Sequence, residues 1–200
     1  MSARRLLVIT GLPATGKTTL ARALATRYSA ALIAKDCIKE PLLDTIGAPD
    51  SAASRRLSDA SFAVMFRLAY LQLSCGVSVV LEGNFRPLEH AAPLARLAAA
   101  PPSATGVRCA QVLCRVEEAV RRRRLGDRAS QPGRHAGHRD AEQLHSPTAD
   151  AGAFVDIPGE RFVWEASEGT DPSVLLHALD RWWNEEADSS SETPGAREEG

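Results

Sequence analysis

Gly11-Leu12-Pro13-Ala14-Thr15-Gly16-Lys17-Thr18-Thr19 fits the pattern G-x-x-x-x-G-K-[ST] at every fixed position. Leu6-Leu7-Val8-Ile9 before it is a short apolar run suited to a buried strand, and Thr19 to Ala25 after it reads as a helix. Strand, loop and helix in that order are what the pattern requires. The glycines let the backbone curl so that successive N–H groups point inward at phosphate oxygens, and the helix N-terminus adds its partial positive charge. In that setting Lys17 reaches β- and γ-phosphates and the Thr18 hydroxyl ligates Mg²⁺. The bland alternative, a glycine-rich turn carrying a surface lysine, does not account for the flanking strand and helix.

The rest of the composition narrows the setting. Two hundred residues with 44% hydrophobic content fit one domain with a proper core. A formal net charge of −1 lends no support to a general affinity for nucleic acid or membranes, although a local basic patch stays open. Met1 to Arg5 leads straight into the first strand, leaving no room for a signal peptide, and no apolar run approaches the ~20 residues that span a bilayer. The expectation is a cytoplasmic protein with no membrane partner. Cys37, Cys75, Cys109 and Cys114 lack metal-ligand spacing and read as reduced, mostly buried thiols. Arginines outnumber lysines 21 to 3, so position rather than number must carry any argument from arginine.

Along the chain, Ala30 to Ala34 suits a second strand ending at Lys35-Asp36, which puts an acid at a strand's carboxyl edge, where open α/β sheets bind ligands. Pro41 to Asp50 reads as a helix start followed by a loop. Ser54 to Ser74 is a long helix whose core face carries Leu57, Phe62, Met65, Phe66, Ala69 and Leu73. Val77 to Leu81 is the clearest buried strand and runs into Glu82-Gly83-Asn84-Phe85-Arg86. An Ala-rich helix to about Ala99 and a strand from Val107 to Cys114 follow. Glu117 to about Arg124 is helical, and Gly126 to Asp140 is a polar loop. Ala141 to Pro158 reads as a short helix and a connection, and Arg161 to Ala166 as a fifth strand. Asp171 can cap a last helix, with Pro172 at its first position and Trp182 and Trp183 packing it onto the sheet. Residues 187–200 read as a disordered tail behind a domain of residues 1–186. Alternating strands and helices mean a parallel sheet covered on both faces.

Phosphoryl transfer to an alcohol needs a group that orients the attacking hydroxyl and takes its proton, and Asp36 is placed to do so. Its plain alternative is an N-cap for the residues that follow. Glu82 stands where an acid can hold Mg²⁺ through water or meet the substrate, with Asn84 close by, and Arg86 suits an anionic acceptor or a structural ion pair. Of the run Arg121 to Arg124 at most two can point into one site, whereas Arg124 and Arg128 share a helix face and suit transition-state phosphate. His135 and His138 lack a third ligand at zinc spacing.

Taken together, the phosphate loop, the Lys35-Asp36 and Leu81-to-Phe85 strand ends, the Arg124-to-Arg128 helix and the Arg134-His135-Ala136-Gly137-His138 loop resemble the AAA-type P-loop kinases. That group includes chloramphenicol phosphotransferase, gluconate and shikimate kinases, zeta-toxin kinases and the kinase domain of polynucleotide kinase. The resemblance spans about residues 4 to 186. It implies a five-stranded parallel sheet in the order 2-3-1-4-5 with helices on both faces. It further implies Asp36 as general base and a lid at about 125–140 that carries Arg134 and His135. The nucleotide, ATP with Mg²⁺, is then held by residues 11–19, with adenine partly between the lid helix and the 167–170 turn. Ala14 and Thr15 depart from the commoner Gly-Ser without harm to the backbone cradle, and Glu82 stands where many relatives have aspartate.

The implied activity is transfer of the γ-phosphate of ATP to a hydroxyl of a small molecule, whether metabolite, nucleoside or antibiotic. A polynucleotide 5′-hydroxyl kinase ranks behind it, because no sustained basic or aromatic-interleaved surface lies outside the lid. An ATP-binding regulatory protein ranks behind both, since a switch needs no base for an acceptor alcohol.

Overall fold

The computed structural model describes residues 3–99, 106–131, 135, 152–167 and 169–185. Arg134, His138, most of the 125–140 segment past Gln131 and the 187–200 tail lie outside the described residues. Among the described residues the strands are β1 (Arg4–Gly11), β2 (Ala31–Ala34), β3 (Val79–Glu82), β4 (Val107–Arg115) and β5 (Glu160–Glu165). They form one parallel sheet in the order β2-β3-β1-β4-β5, the topology that the resemblance implied. The helices are α1 (Lys17–Arg27), α2 (Lys35–Ile46), α3 (Ser51–Ser74), α4 (Pro87–Ala99), α5 (Glu118–Ala129) and α6 (Ser173–Asn184).

Alternation along β1 divides the core in two. Leu6 and Val8 pack with Phe62, Met65 and Leu73 of α3 and Leu94 and Leu97 of α4. Leu7 and Ile9 pack on the other face with Leu20 and Leu24 of α1 and Leu175, Leu179 and Trp182 of α6. Both faces are covered, which is why Leu6 to Ile9 of β1 and Val79 to Leu81 of β3 are apolar at successive positions. The same alternation disposes of two buried arginines that precede the expected strand. Arg4 donates Nη1 to the Leu73 carbonyl at 2.9 Å, and Arg5 donates Nε to the Trp183 carbonyl at 3.0 Å and Nη2 to that of Glu185 at 2.6 Å. Each cation therefore satisfies the carboxyl end of a helix, where the dipole favours positive charge.

Several boundaries differ from the sequence reading. The helix expected from Pro41 begins at Lys35, directly after β2, with Pro41 inside it. A proline reads as a first-turn residue because it lacks an N–H, but here the turn from Lys35 to Glu40 forms first and the proline is carried within it. Helix α3 starts three residues earlier than expected, because Asp50 accepts the Ala53 N–H at 2.6 Å and caps it. Helix α5 continues through Gly126 to Ala129, where the expectation placed a loop from Gly126, so Arg124 and Arg128 stand on one continuous helix. The N-cap of α6 is Pro172, while Asp171 accepts the Ser173 N–H at 2.8 Å. Cys109 and Cys114 are buried as expected, but Cys37 and Cys75 are exposed at helix ends, where no core packs over them. Residues 152–158 form a connection that buries Val155 and Ile157. The Gln111 side chain pins it, accepting the Val155 N–H at 3.0 Å and donating to the Val155 carbonyl at 2.9 Å. No helix among the described residues is long and apolar enough to cross a membrane.

Candidate active site

The phosphate loop leaves β1 between β3 and β4, with Ile9 beside Glu82 and Gly11 beside Cys114 in register. Ala34 is level with Glu82, so Asp36 emerges two residues beyond it at the same carboxyl edge. Gly11 has φ +140°, and a Cβ there would lie within van der Waals contact of the Cys114 carbonyl oxygen and 3.1 Å from Thr15 Oγ1. Only glycine fits that close approach. Gly16, with φ +84°, is the N-cap of α1 and offers no side-chain cap, which leaves the first N–H groups of the helix to an anion. Ala14 also takes a left-handed φ of 67°. The cradle forms, but Ala14 bears a strain of about 1 kcal/mol that glycine would not. Within the loop, Thr15 Oγ1 and Lys17 Nζ both donate to the Leu12 carbonyl, at 2.8 and 2.7 Å.

Lys17 is buried, and burial holds its ammonium below the usual lysine range. Glu82, Cys114 and Asp36 oppose that shift, whereas Arg128 adds to it. Four of the residues singled out in the sequence thus converge, close enough for the charges of Glu82, Asp36 and Arg128 to act on one ammonium. Glu82 is itself buried, and burial raises its carboxyl above the usual range against the opposing charge of Lys17. Its Oε2 accepts the Thr18 hydroxyl at 3.3 Å. A hydroxyl and a carboxylate held together beside a phosphate cradle are hard oxygen donors of the kind Mg²⁺ takes, so the pair fits that ion.

Asp36 is different in kind. Its side chain is 44% exposed, and Lys35 Nζ, 11% exposed, lies 2.7 Å from its Oδ1. The N-cap of α2 is Ala34 without a side-chain bond, so Asp36 sits in the first turn and does not cap the helix. Asn84 is half-buried one residue beyond Gly83. A Cβ on Gly83 would meet Phe62 Cε1 at 3.3 Å and Lys35 Cβ at 3.5 Å, which is how closely β3, α2 and α3 approach there. Arg86 pairs with Glu89 at 2.8 Å and Asp59 at 3.6 Å, and its N–H donates to His90 Nδ1 at 2.8 Å.

The arginines of α5 separate into roles. Arg121, buried, and Arg122 both bond Glu118, at 2.7 and 2.9 Å, and hold its carboxyl down at about 2. Arg124 donates Nη2 to the Ala166 carbonyl at 2.9 Å, tying α5 to the end of β5. Arg128 is the member whose charge reaches Lys17. His135 lies 2.9 Å from Asp44 near the end of α2. Between the phosphate loop, the start of α5 and the end of β5 is a cavity of about 420 Å³ whose lining includes Leu12, Thr15, Glu117, Arg121 and Ser167. Sequence reasoning missed Lys35 as the partner of Asp36 and His90 as the anchor of the 83–86 loop. Adjacency to Asp36 pointed to the first; a histidine four residues after Arg86 at a helix start was the only trace of the second.

No curated protein matches the sequence. A candidate kinase from Chloroflexus aurantiacus j-10-fl is 27% identical, with a TM-score of 0.77 over 90% of this chain and 98% of the other. A sugar kinase from Janibacter sp. HTCC2649 is 16% identical, with a TM-score of 0.54 over 90% of this chain and 94% of the other. The APS kinase of Mycobacterium tuberculosis, solved with AMPPNP and APS, is 17% identical, with a TM-score of 0.56 over 90% of this chain and 98% of the other. The latter two likenesses establish the fold alone. The AAA domain family matches residues 6–150, which include the phosphate loop, Asp36, Glu82 and the arginine helix. With that match and the kinase fold around it, the chain belongs to the AAA-type P-loop kinase family.

Proposed function

We propose that this protein transfers the γ-phosphate of ATP to a hydroxyl of a small molecule, with Asp36 as general base. The observation that carries the reading is the two-tier arrangement around Lys17. Lys17 and Glu82 are buried at the phosphate loop, while Asp36 is near enough to act on Lys17 yet 44% exposed toward solvent. A buried acid beside Thr18 suits a metal, and an accessible carboxylate at the neighbouring strand end suits an incoming alcohol.

In this reading the N–H groups of residues 11–19 and the ammonium of Lys17 bind the triphosphate. Lys17 must first release the Leu12 carbonyl, to which it donates at 2.7 Å. Thr18 and Glu82 would hold Mg²⁺, which when bound would neutralise phosphate charge. Lys35 grips one oxygen of Asp36 and so orients the carboxylate. Asp36 accepts the proton of the acceptor hydroxyl as its oxygen bonds to the γ-phosphorus and the bond from that phosphorus to the β,γ-bridging oxygen breaks, releasing ADP. Arg128 supplies a further cation, and Arg124 keeps α5 against the end of β5, beside the cavity we assign in part to the base. The place of action is the cytoplasm.

Asp36→Asn tests the assignment, because it preserves size and a hydrogen-bonding oxygen but removes the proton acceptor. ATP affinity by calorimetry should stay within a few fold while transfer falls by roughly 10²–10⁴-fold, with the melting temperature measured alongside. Transfer at nearly the parent rate would remove Asp36 from the mechanism.

A further inference from the structure

Lys35 is the first residue of α2, directly after β2, and it is buried. That is an unfavourable place for an ammonium. The N-terminus of a helix carries partial positive charge, which suits Asp36 in the same turn and opposes Lys35. A lysine is seldom this buried unless it is paired. Its Cβ lies against the end of β3, since a Cβ on Gly83 would be 3.5 Å from it and 3.3 Å from Phe62 Cε1. Packing alone would be served as well by methionine, which has a similar reach and no charge to desolvate.

What the ammonium does have is two acids within reach of its charge. Nζ lies 2.7 Å from Asp36 Oδ1. Burial raises the Glu82 carboxyl, and Lys35 is among the charges that oppose that shift. Asp36 in turn is close enough to act on both Glu82 and Lys17. Two carboxylates therefore share this strand edge with the phosphates that the loop would receive, and like charges repel. Lys35 offsets that repulsion at Asp36 and fixes one of its oxygens. We propose that Lys35 is a positioning residue kept against the stability of the fold: its charge holds the Asp36 carboxylate in place for the acceptor hydroxyl, and removing that charge lowers transfer without weakening the fold. This rests on the phosphotransferase reading of the preceding section and deepens it.

The test uses the full chain with Lys35→Met, which keeps the reach and drops the charge, and Lys35→Arg, which keeps the charge. Transfer of the labelled γ-phosphate of Mg·ATP is followed with water, glucose and adenosine as acceptors, beside calorimetric ATP affinity and the urea midpoint. With the fastest of these acceptors Lys35→Met should lower kcat at least about tenfold, the effect of one charged hydrogen bond lost. Its ATP affinity should stay within about threefold of the parent's, and its urea midpoint should equal or exceed the parent's. Lys35→Arg should recover most of the rate. In an Asp36→Asn background Lys35→Met should change the remaining rate by less than about threefold, because a residue that acts through Asp36 has nothing left to act on. A parent rate in Lys35→Met, or its full loss added on top of that of Asp36→Asn, overturns the proposal and leaves the kinase standing. A midpoint well below the parent's in Lys35→Met, or Lys35→Arg no faster than Lys35→Met, also overturns it and makes Lys35 a structural residue. Transfer no faster than that of Lys17→Ala with every acceptor overturns the phosphotransferase reading and this proposal with it.

Discussion

His90 makes the stability of the protein dependent on pH through the start of α4. Its Nδ1 accepts the N–H of Arg86 at 2.8 Å, while the Arg86 carbonyl accepts the N–H of His90 at 3.0 Å, a reciprocal closure of the first turn of α4. The ring is buried, with centroids 4.0 Å from Phe62 and 5.8 Å from Phe85. Only neutral imidazole can accept that bond. Burial pushes His90 from 6.5 down to about 4, Arg86 adds to the effect, and Glu89 and Asp59 oppose it. Between those values the unfolded chain binds a proton that the folded chain refuses. The stabilisation is therefore present in full above pH 6.5 and is lost as pH falls toward 4. At about 1.4 kcal/mol per unit, the parent should lose about 2 kcal/mol between pH 7 and 4.5 through this residue. His90→Gln supplies an oxygen that accepts the Arg86 N–H and does not titrate. Urea denaturation of both proteins across that range isolates the histidine, because other titrating groups are common to the two. The parent should lose about 2 kcal/mol more than His90→Gln. Parallel pH profiles would refute the assignment of a neutral, bond-accepting His90.

Two further outcomes test the phosphate site. Gly11→Ala places a methyl against the Cys114 carbonyl at φ +140° and should cost about 2–4 kcal/mol together with nucleotide affinity; a denaturation midpoint equal to the parent's would contradict the close approach of β1 and β4. Arg128→Ala removes the α5 charge that acts on Lys17 and should lower turnover on the order of a thousandfold while calorimetric ATP affinity changes far less; equal losses in both would make Arg128 a ground-state ligand of the nucleotide.

Local sequence determined the sheet and the phosphate loop, because both rest on short-range physics. An apolar run such as Leu6 to Ile9 has no stable place but a covered strand, and a glycine pair followed by Lys17 and a helix leaves the backbone little but an anion cradle to form. The carboxyl edge gathers whatever follows each strand, so Asp36 and Glu82 could be assigned to one site from their place after β2 and β3. Which charges actually meet was decided by tertiary structure alone. Arg124 and Arg128 look equivalent on a helix wheel, yet the end of β5 takes Arg124 through Ala166 while the charge of Arg128 acts on Lys17. Arg86 reads as an anion ligand until α3 brings Asp59 to it across 27 positions of chain and α4 presents Glu89. Lys35 and Asp36 are neighbours in sequence, but the start of α2 directly at Lys35 is what buries the one and leaves the other open. Ion pairing depends on distance and burial, and those are set by the packing of elements distant in sequence, which residue order does not encode locally.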